Sequence, residues 1–354
     1  MNSVKTEPAK AWPMGKACWH AETQETRIQP TVQPDWRPVA ALITSWHPRG
    51  TRRRGPASKL LVKTAHNLSP PRFLPAANAL GSIGINLLDA GMPYVGPADT
   101  TGCPAAKAAL PRKQADAAIA DAGRRAVRDT PPLRPVLFLA GYRGPHFQSV
   151  GLQQSLSRLS PVLALRSLCV SFQSAVTIEA MCDTVAEAAA EWGAQDAASQ
   201  AMGWDAVAIS GGGLVAKSLA ADGRVKISRL VTFASPHAGS ILADFVRPDP
   251  AAACMRTGSP YLADLHRRWM TYAKGADAEL HCLTSTRDGW VGADRAWPNP
   301  ALLHGWPEGD ATLGPRDTVT CTRGRLIGSH WLVSHEPGLL LAAAQRLGLI
   351  AQVH

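Results

Sequence analysis

The sequence predicts an α/β fold, a mostly parallel sheet with helices on both faces, on three observations. First, short and continuously apolar runs recur, among them "PVLFLAGY" (135–142), "WDAVAIS" (204–210) and "ISRLVTFAS" (227–235). Runs of this length suit strands buried on both faces. Second, segments with a helical period lie between them, such as "TIEAMCDTVAEAAAEWG", where Ile178, Met181, Val185 and Ala189 share one side. Third, the two patterns alternate, and strands alternating with helices imply parallel pairing. In such sheets ligands sit beyond the carboxyl ends of the strands. Ser210 stands at one such end, and the loops after Ala140 and Ser235 stand at two others.

Taken in order, the chain falls into two parts. Residues 1–130 are rich in Pro, Ala and Arg, with the turn-rich basic run "HPRGTRRRGPASK" at 47–59 and poor periodicity throughout the first 110 residues. Such composition favours loop or disorder. A helix is expected over 113–127 ("KQADAAIADAGRRAV") and a linker over 130–135 ("TPPLRP"). Residues 131–354 form the predicted domain. After its first strand, "SVGLQQSLSRL" reads as a helix, "PVLALRSL" as a strand, and "GLVAKSLAA" as an amphipathic helix following Ser210.

Charge divides the same way. Residues 1–134 carry 19 Lys and Arg against 9 Asp and Glu, whereas the remainder balances at 18 of each. The basic surplus therefore belongs to the N-terminal third. It suits either a solvated arm or peripheral contact with an anionic membrane surface. No interleaved aromatic and basic platform is present, so no nucleic acid is expected. The seven cysteines include no C-x-x-C pair, which argues against a zinc knuckle or a redox motif, and no disulfide pairing is readable. The N-terminus "MNSVKTEPAKAWPMGKACWHAE" has no apolar core of a secretory signal, and no apolar stretch is long enough to cross a bilayer. The expectation is a cytoplasmic protein.

"WDAVAISGGGLVAKSLA" (204–220) concentrates the chemical question. Ser210 could be a nucleophile on a strand-to-helix turn, a neighbour of a phosphate-binding loop, or a small residue in an ordinary glycine-rich turn. A serine hydroxyl needs a base to take its proton and donors to hold the oxyanion that forms. A sharp strand–turn–helix meets both needs by lifting Oγ clear of the sheet and aiming the next N–H, that of Gly211, at the reacting carbonyl. The phosphate-loop pattern G-x-x-x-x-G-K-[ST] fails at Ala216, whose Cβ stands where the loop must wrap phosphate oxygens. Neither does a later apolar strand end in a magnesium-holding aspartate.

At this point the residues resemble an α/β-hydrolase of the bacterial lipase and esterase type. "AISGGGLVAK" resembles that family's G-x-S-x-G-G elbow, with Ala208 at the first glycine. Five further segments resemble the family in its own order. They are "VLFLAGYRG" (the oxyanion loop), "LVTFASPHAGS" (a strand ending in T-P-H-x-G-[ST]), "MRTGSPYLADL" (the helix near the substrate mouth), and the pair "STRDGWVGADRAWP" and "LIGSHWLVSHEP" (the acid and histidine loops). The resemblance covers about residues 134–350.

It implies an α/β-hydrolase fold and a Ser210–Asp288–His330 triad in the chain order this fold requires. Ser210 would be the nucleophile, His330 the base and Asp288 the carboxylate that orients it. The N–H groups of Gly211 and Tyr142 would form the oxyanion hole. His335 competes with His330; the family histidine is followed by apolar residues and a proline opening the last helix, which matches His330 and Pro337. His237, in "SPHAG", matches a structural histidine. Residues from about Ala238 to Asp277 would form the cap or mouth. The implied activity is hydrolysis of small-molecule or lipid carboxylic esters through an acyl-enzyme, with no metal or organic cofactor. An acyltransferase using the same triad, and a non-catalytic binding protein of the same fold, are the alternatives.

Overall fold

The structure, a computed structural model, describes residues 103, 106–125, 134–160, 162–172, 175–195, 202–246, 249–322 and 330–350. The loop-rich reading of residues 1–102, and the membrane contact suited to their basic charge, fall outside the described residues.

Seven strands form one parallel sheet: β1 (Ala106–Ala108), β2 (Val136–Tyr142), β3 (Ser167–Phe172), β4 (Trp204–Ile209), β5 (Ile227–Phe233), β6 (Glu279–Ser285) and β7 (Thr318–Thr322). Their order is β1-β7-β6-β5-β4-β2-β3, and every pairing is parallel. The helices are α1 (Arg112–Arg125), α2 (His146–Ser157), α3 (Val162–Leu165), α4 (Ile178–Gln195), α5 (Gly211–Ala221), α6 (Ile241–Phe245), α7 (Pro250–Cys254), α8 (Pro260–Ala276) and α9 (Pro337–Arg346). A 3₁₀ turn, His330–His335, precedes α9. No helix among the described residues is long and apolar enough to cross a membrane.

The two faces of the sheet are built from alternate residues, as the two-residue period of a strand requires. Leu137, Leu139, Ala206, Ala208, Leu230 and Leu280 face a core shared with α4, α5 and α8. Val136, Phe138, Val207, Ile209, Val231, Phe233 and Leu283 face the opposite core, shared with α2 and α9. On β4 Ala206 and Ala208 point toward α5 while Val207 and Ile209 point away from it, so that helix can lie close to the sheet beyond Trp204.

Three expectations change. "PVLALRSL" is not one strand: Val162–Leu165 is a helical turn, and the strand starts at Ser167. The Leu163 N–H donates to the Ser160 carbonyl and that of Arg166 to Leu163, so the run curls before it extends. A short apolar run does not distinguish a strand from a buried helical turn. In addition, the breaker-rich stretch before residue 110 supplies β1, which pairs with β7 at the edge of the sheet. Three residues are too few to show a period.

The helix after Ser210 is not amphipathic either. Every residue from Gly211 to Ala220 is buried, including Lys217 and Ser218, because α8 covers the side that would have faced solvent. Its first turn meets the sheet so closely that side chains are excluded. A Cβ on Gly212 would collide with the Ala140 carbonyl, and one on Gly213 with Ser235 Oγ.

Lys217 crosses to α8 and makes a 2.7 Å hydrogen bond between Nζ and His266 Nδ1. His266 Nε2 lies 2.8 Å from the Thr312 carbonyl, which can only accept. The ring hydrogen is therefore on Nε2, and Nδ1 accepts from the lysine. Burial pulls the ammonium from its ordinary 10.5 to about 7. Burial, reinforced by the lysine's charge, holds His266 and the neighbouring His237 well below the usual imidazole range.

Two outcomes are expected. Gly212→Ala should destabilise the fold by about 2 kcal/mol or more, since backbone must move, whereas Gly275→Ala on α8, with open space around it, should be neutral or stabilising by up to ~1 kcal/mol; urea unfolding compares them. The second concerns pH. Above about 7 native Lys217 is neutral while the unfolded chain stays protonated to about 10. Its contribution to stability therefore rises with pH across that window, at a slope approaching about 1.4 kcal/mol per unit. Lys217→Met should stabilise most at pH 7 and below, and the gain should shrink toward pH 9 in parallel unfolding titrations.

Candidate active site

Ser210 follows β4 directly and keeps its N–H in the sheet, donating to the Phe233 carbonyl at 2.9 Å. Its backbone then turns to φ 51° and ψ −129°, and its own carbonyl accepts from Gly213 N–H at 3.0 Å to start α5. Positive φ costs a non-glycine residue of order 1–3 kcal/mol and persists only where the surroundings enforce it. Here α5 packed on the sheet enforces it. Arg143 (φ 52°) and Ala234 (φ 49°) are strained likewise, so the chain turns abruptly just past the carboxyl ends of β2, β4 and β5.

These ends flank the point where the order of the sheet reverses. From β2 the chain runs outward to β3, then returns to place β4 on the other side of β2. The helix after β2 packs in one core and the helix after β4 in the other. Such a reversal is the usual ligand position in open parallel sheets.

Ser210, Gly211 and Tyr142 meet at that reversal point. A Cβ on Gly141 would stand 3.2 Å from Ser210 Cβ. One on Gly211 would stand 3.0 Å from Tyr142 Cβ, 3.3 Å from its backbone nitrogen and 3.5 Å from Met255 Sδ. The loop after β2 thus runs directly against the serine turn. It is braced by Gln148 Oε1, which accepts from Gly141 N–H at 3.2 Å.

Asp288 and His330 are brought together by the loops after β6 and β7. Asp288 Oδ2 lies 2.9 Å from His330 Nδ1, with both side chains fully enclosed. Asp288 Oδ1 accepts from the N–H groups of Trp290 (2.9 Å) and Val291 (3.1 Å) in the turn that follows it. The Trp290 ring stacks on the imidazole at 5.1 Å and 15°. A carboxylate accepts, so Nδ1 carries the ring hydrogen and the neutral ring keeps its lone pair on Nε2.

The competing histidines are placed elsewhere. His335 ends the same 3₁₀ turn with its ring toward α2, 4.0 Å from a Cβ on Gly151. His237 is buried with Nε2 3.1 Å from Thr232 Oγ1, inside the core rather than in the acid loop. Among the described residues no cluster of three or more His, Cys, Asp or Glu is placed to hold a metal ion, and no disulfide joins the described cysteines.

One part of the site has no counterpart in the sequence reading. Asp249 lies against the loop after β2, with Oδ2 accepting from Tyr142 Oη at 2.5 Å and paired with Arg143 Nη2 at 3.2 Å. Burial and this carboxylate hold the Tyr142 phenol well above its ordinary range, so it remains a donor. The available signal was "DPAAAC" (249–254), an N-cap aspartate with proline at the first helical position. That pattern places a helix start, not a contact 107 residues away.

No protein-family model matches the chain, and no curated protein matches it by sequence. Among solved structures it is similar to phospholipase PlaB from Legionella pneumophila in complex with thio-NAD, at 19% identity over 46% of this chain and 43% of that one, with a TM-score of 0.36. It is also similar to the mature lipase BlEst2 from Bacillus licheniformis, at 12% identity over 62% of this chain and 94% of that one, TM-score 0.41. A third is Est1E from Butyrivibrio proteoclasticus, at 12% identity over 64% and 92%, TM-score 0.37. The chain spans less than half the length of the PlaB chains it matches. The described residues themselves form a seven-stranded parallel α/β sheet with helices on both faces and the serine turn after β4.

Proposed function

We propose that the protein is a serine hydrolase of carboxylic esters. The observation that carries this reading is the enclosed Asp288–His330 hydrogen bond; the strained serine at the reversal point of the sheet supplies the candidate nucleophile. Ser210 Oγ attacks the ester carbonyl while His330 Nε2 takes its proton. Asp288 holds the ring in the tautomer that leaves Nε2 basic and stabilises the imidazolium that forms. The N–H groups of Gly211 and Tyr142 receive the charge that develops on the carbonyl oxygen. Collapse of the tetrahedral species breaks the ester C–O bond, with the histidine returning its proton to the departing alcohol. Water then enters by the same base catalysis, and the acyl group leaves as the acid.

Lipid or other apolar acyl esters are the substrates proposed; the apolar thioether of Met255, which approaches the Gly211–Tyr142 pair, supports this. Hydrolysis rather than acyl transfer is the reading adopted, since water suffices as the second nucleophile.

A fluorophosphonate should label the wild-type protein at Ser210, mapped by mass spectrometry, and Ser210→Ala should take no label. His330→Ala should lower kcat/KM for a short-chain aryl ester by about 10⁴-fold or more, with His335→Ala within a few-fold of wild type. Full activity in His330→Ala would overturn the assignment of the base.

A further inference from the structure

We infer that Asp249 is a positioning residue, a latch that sets the oxyanion loop by tying Tyr142 and Arg143 to α7, a short helix in the segment between β5 and β6. The catalytic half of this inference rests on the hydrolase reading; the mechanical half does not.

The carboxylate is buried, 8% exposed as a residue, and each oxygen has its own task. Oδ1 accepts from Ala252 N–H at 2.8 Å and so caps α7. Oδ2 takes the Tyr142 hydroxyl at 2.5 Å and faces Arg143 Nη2 at 3.2 Å. Those two residues are consecutive, and the second has positive φ, so one atom grips the loop where its backbone is strained. The far end of α7 leads to Met255, whose sulfur approaches Gly211 next to Tyr142. The Gly211–Tyr142 pair is therefore held between the two ends of one short helix, by a carboxylate on one side and a thioether on the other. If α7 lifts away, Tyr142 loses its anchor and Gly211 its backing together.

Charge alone does not account for the arrangement. A carboxylate near a developing oxyanion opposes it, and Arg143 offsets that opposition. Replacing Asp249 by Asn leaves the guanidinium without its counter-charge, which by electrostatics should help the reaction. Positioning predicts the reverse. Asparagine caps helices about as well as aspartate, so the substitution spares α7. Its amide nitrogen, however, cannot accept from the phenol or the guanidinium.

Asp249→Asn should lower kcat for an aryl ester about ten- to a hundredfold, less than the hundred- to thousandfold typical for outright loss of an oxyanion donor, with KM within about twofold. Tyr142→Phe, which removes only the hydroxyl, should lower kcat in the same direction, and the double variant should be no worse than the poorer single one. Backbone amides 141–144 should exchange hydrogen faster in both single variants; Tyr142→Phe keeps the question decidable if Asp249→Asn folds poorly. Wild-type kcat in both variants, independent multiplicative losses, or unchanged exchange at 141–144 would overturn the latch. Fluorophosphonate labelling of wild type separates the two readings. If Ser210 takes no label, the hydrolase reading falls, and the exchange rates alone then decide: faster upholds the latch as a mechanical tie, unchanged overturns it.

Discussion

The distance between α5 and the sheet is the constraint from which the rest of the molecule follows. Gly212 and Gly213 have no room for a Cβ because the Ala140 carbonyl and the Ser235 hydroxyl occupy it, and Ala206 and Ala208 keep β4 low beneath the helix. That approach leaves the chain a single residue in which to change from strand to helix, and Ser210 takes the positive φ as a result. Had α5 been a few ångströms further out, an ordinary loop would have served, and Ser210 would face the side of the sheet instead of its rim. The strain at Ser210 is thus supplied by packing elsewhere, which is how such strain is maintained at functional sites.

The same closeness explains the polar core behind the serine. A helix pressed onto the sheet on one side and covered by α8 on the other has no solvent face, so a lysine on it must find a partner inside. Lys217 does so at His266, and His266 at the Thr312 carbonyl. A buried charge of this kind is poor support for stability, since an apolar residue of similar size commonly does as well or better. What it supplies is register: the Nζ–Nδ1 contact is made only when α8 sits at one rotation and height on α5. The helix that follows the serine and α8 are consequently one unit.

Much of the architecture was legible because it depends on local pattern. The apolar runs of β2, β4 and β5, the helical period of α4 and the proline opening α9 each declare themselves within a dozen residues, and the structure has all of them. Ser210, Gly211, Asp288, His330 and Tyr142 were also named from the chain, by their place at strand ends and by resemblance. The structure puts Asp288 against His330 rather than His335. What escaped is non-local. The burial of Lys217 depends on α8, some fifty residues on, and "GLVAKSLAA" read in isolation has an apparent polar face. β1 exists only because β7 offers it an edge, and α3 curls where an equally apolar segment elsewhere extends. The Tyr142–Asp249 contact joins two loops with no shared motif, so nothing within either segment announces it.

Asp288 and Asp249 turn out to be built alike, although only one was anticipated. Each is buried. Each commits Oδ1 to backbone N–H groups two or three residues ahead, Trp290 and Val291 for one and Ala252 for the other. Each then extends Oδ2 to a single functional element, His330 in the first case and the Tyr142–Arg143 loop in the second. The division has a physical consequence. A carboxylate held by its own turn cannot rotate to follow a partner that drifts, so the partner must come to it, and the loop that carries the aspartate dictates the position of a group on another strand end. In this way loops that would otherwise be independent are referred to the sheet through two short bonds. The proposed base and the proposed oxyanion donor are both placed by what lies behind them and not by the segments that carry them.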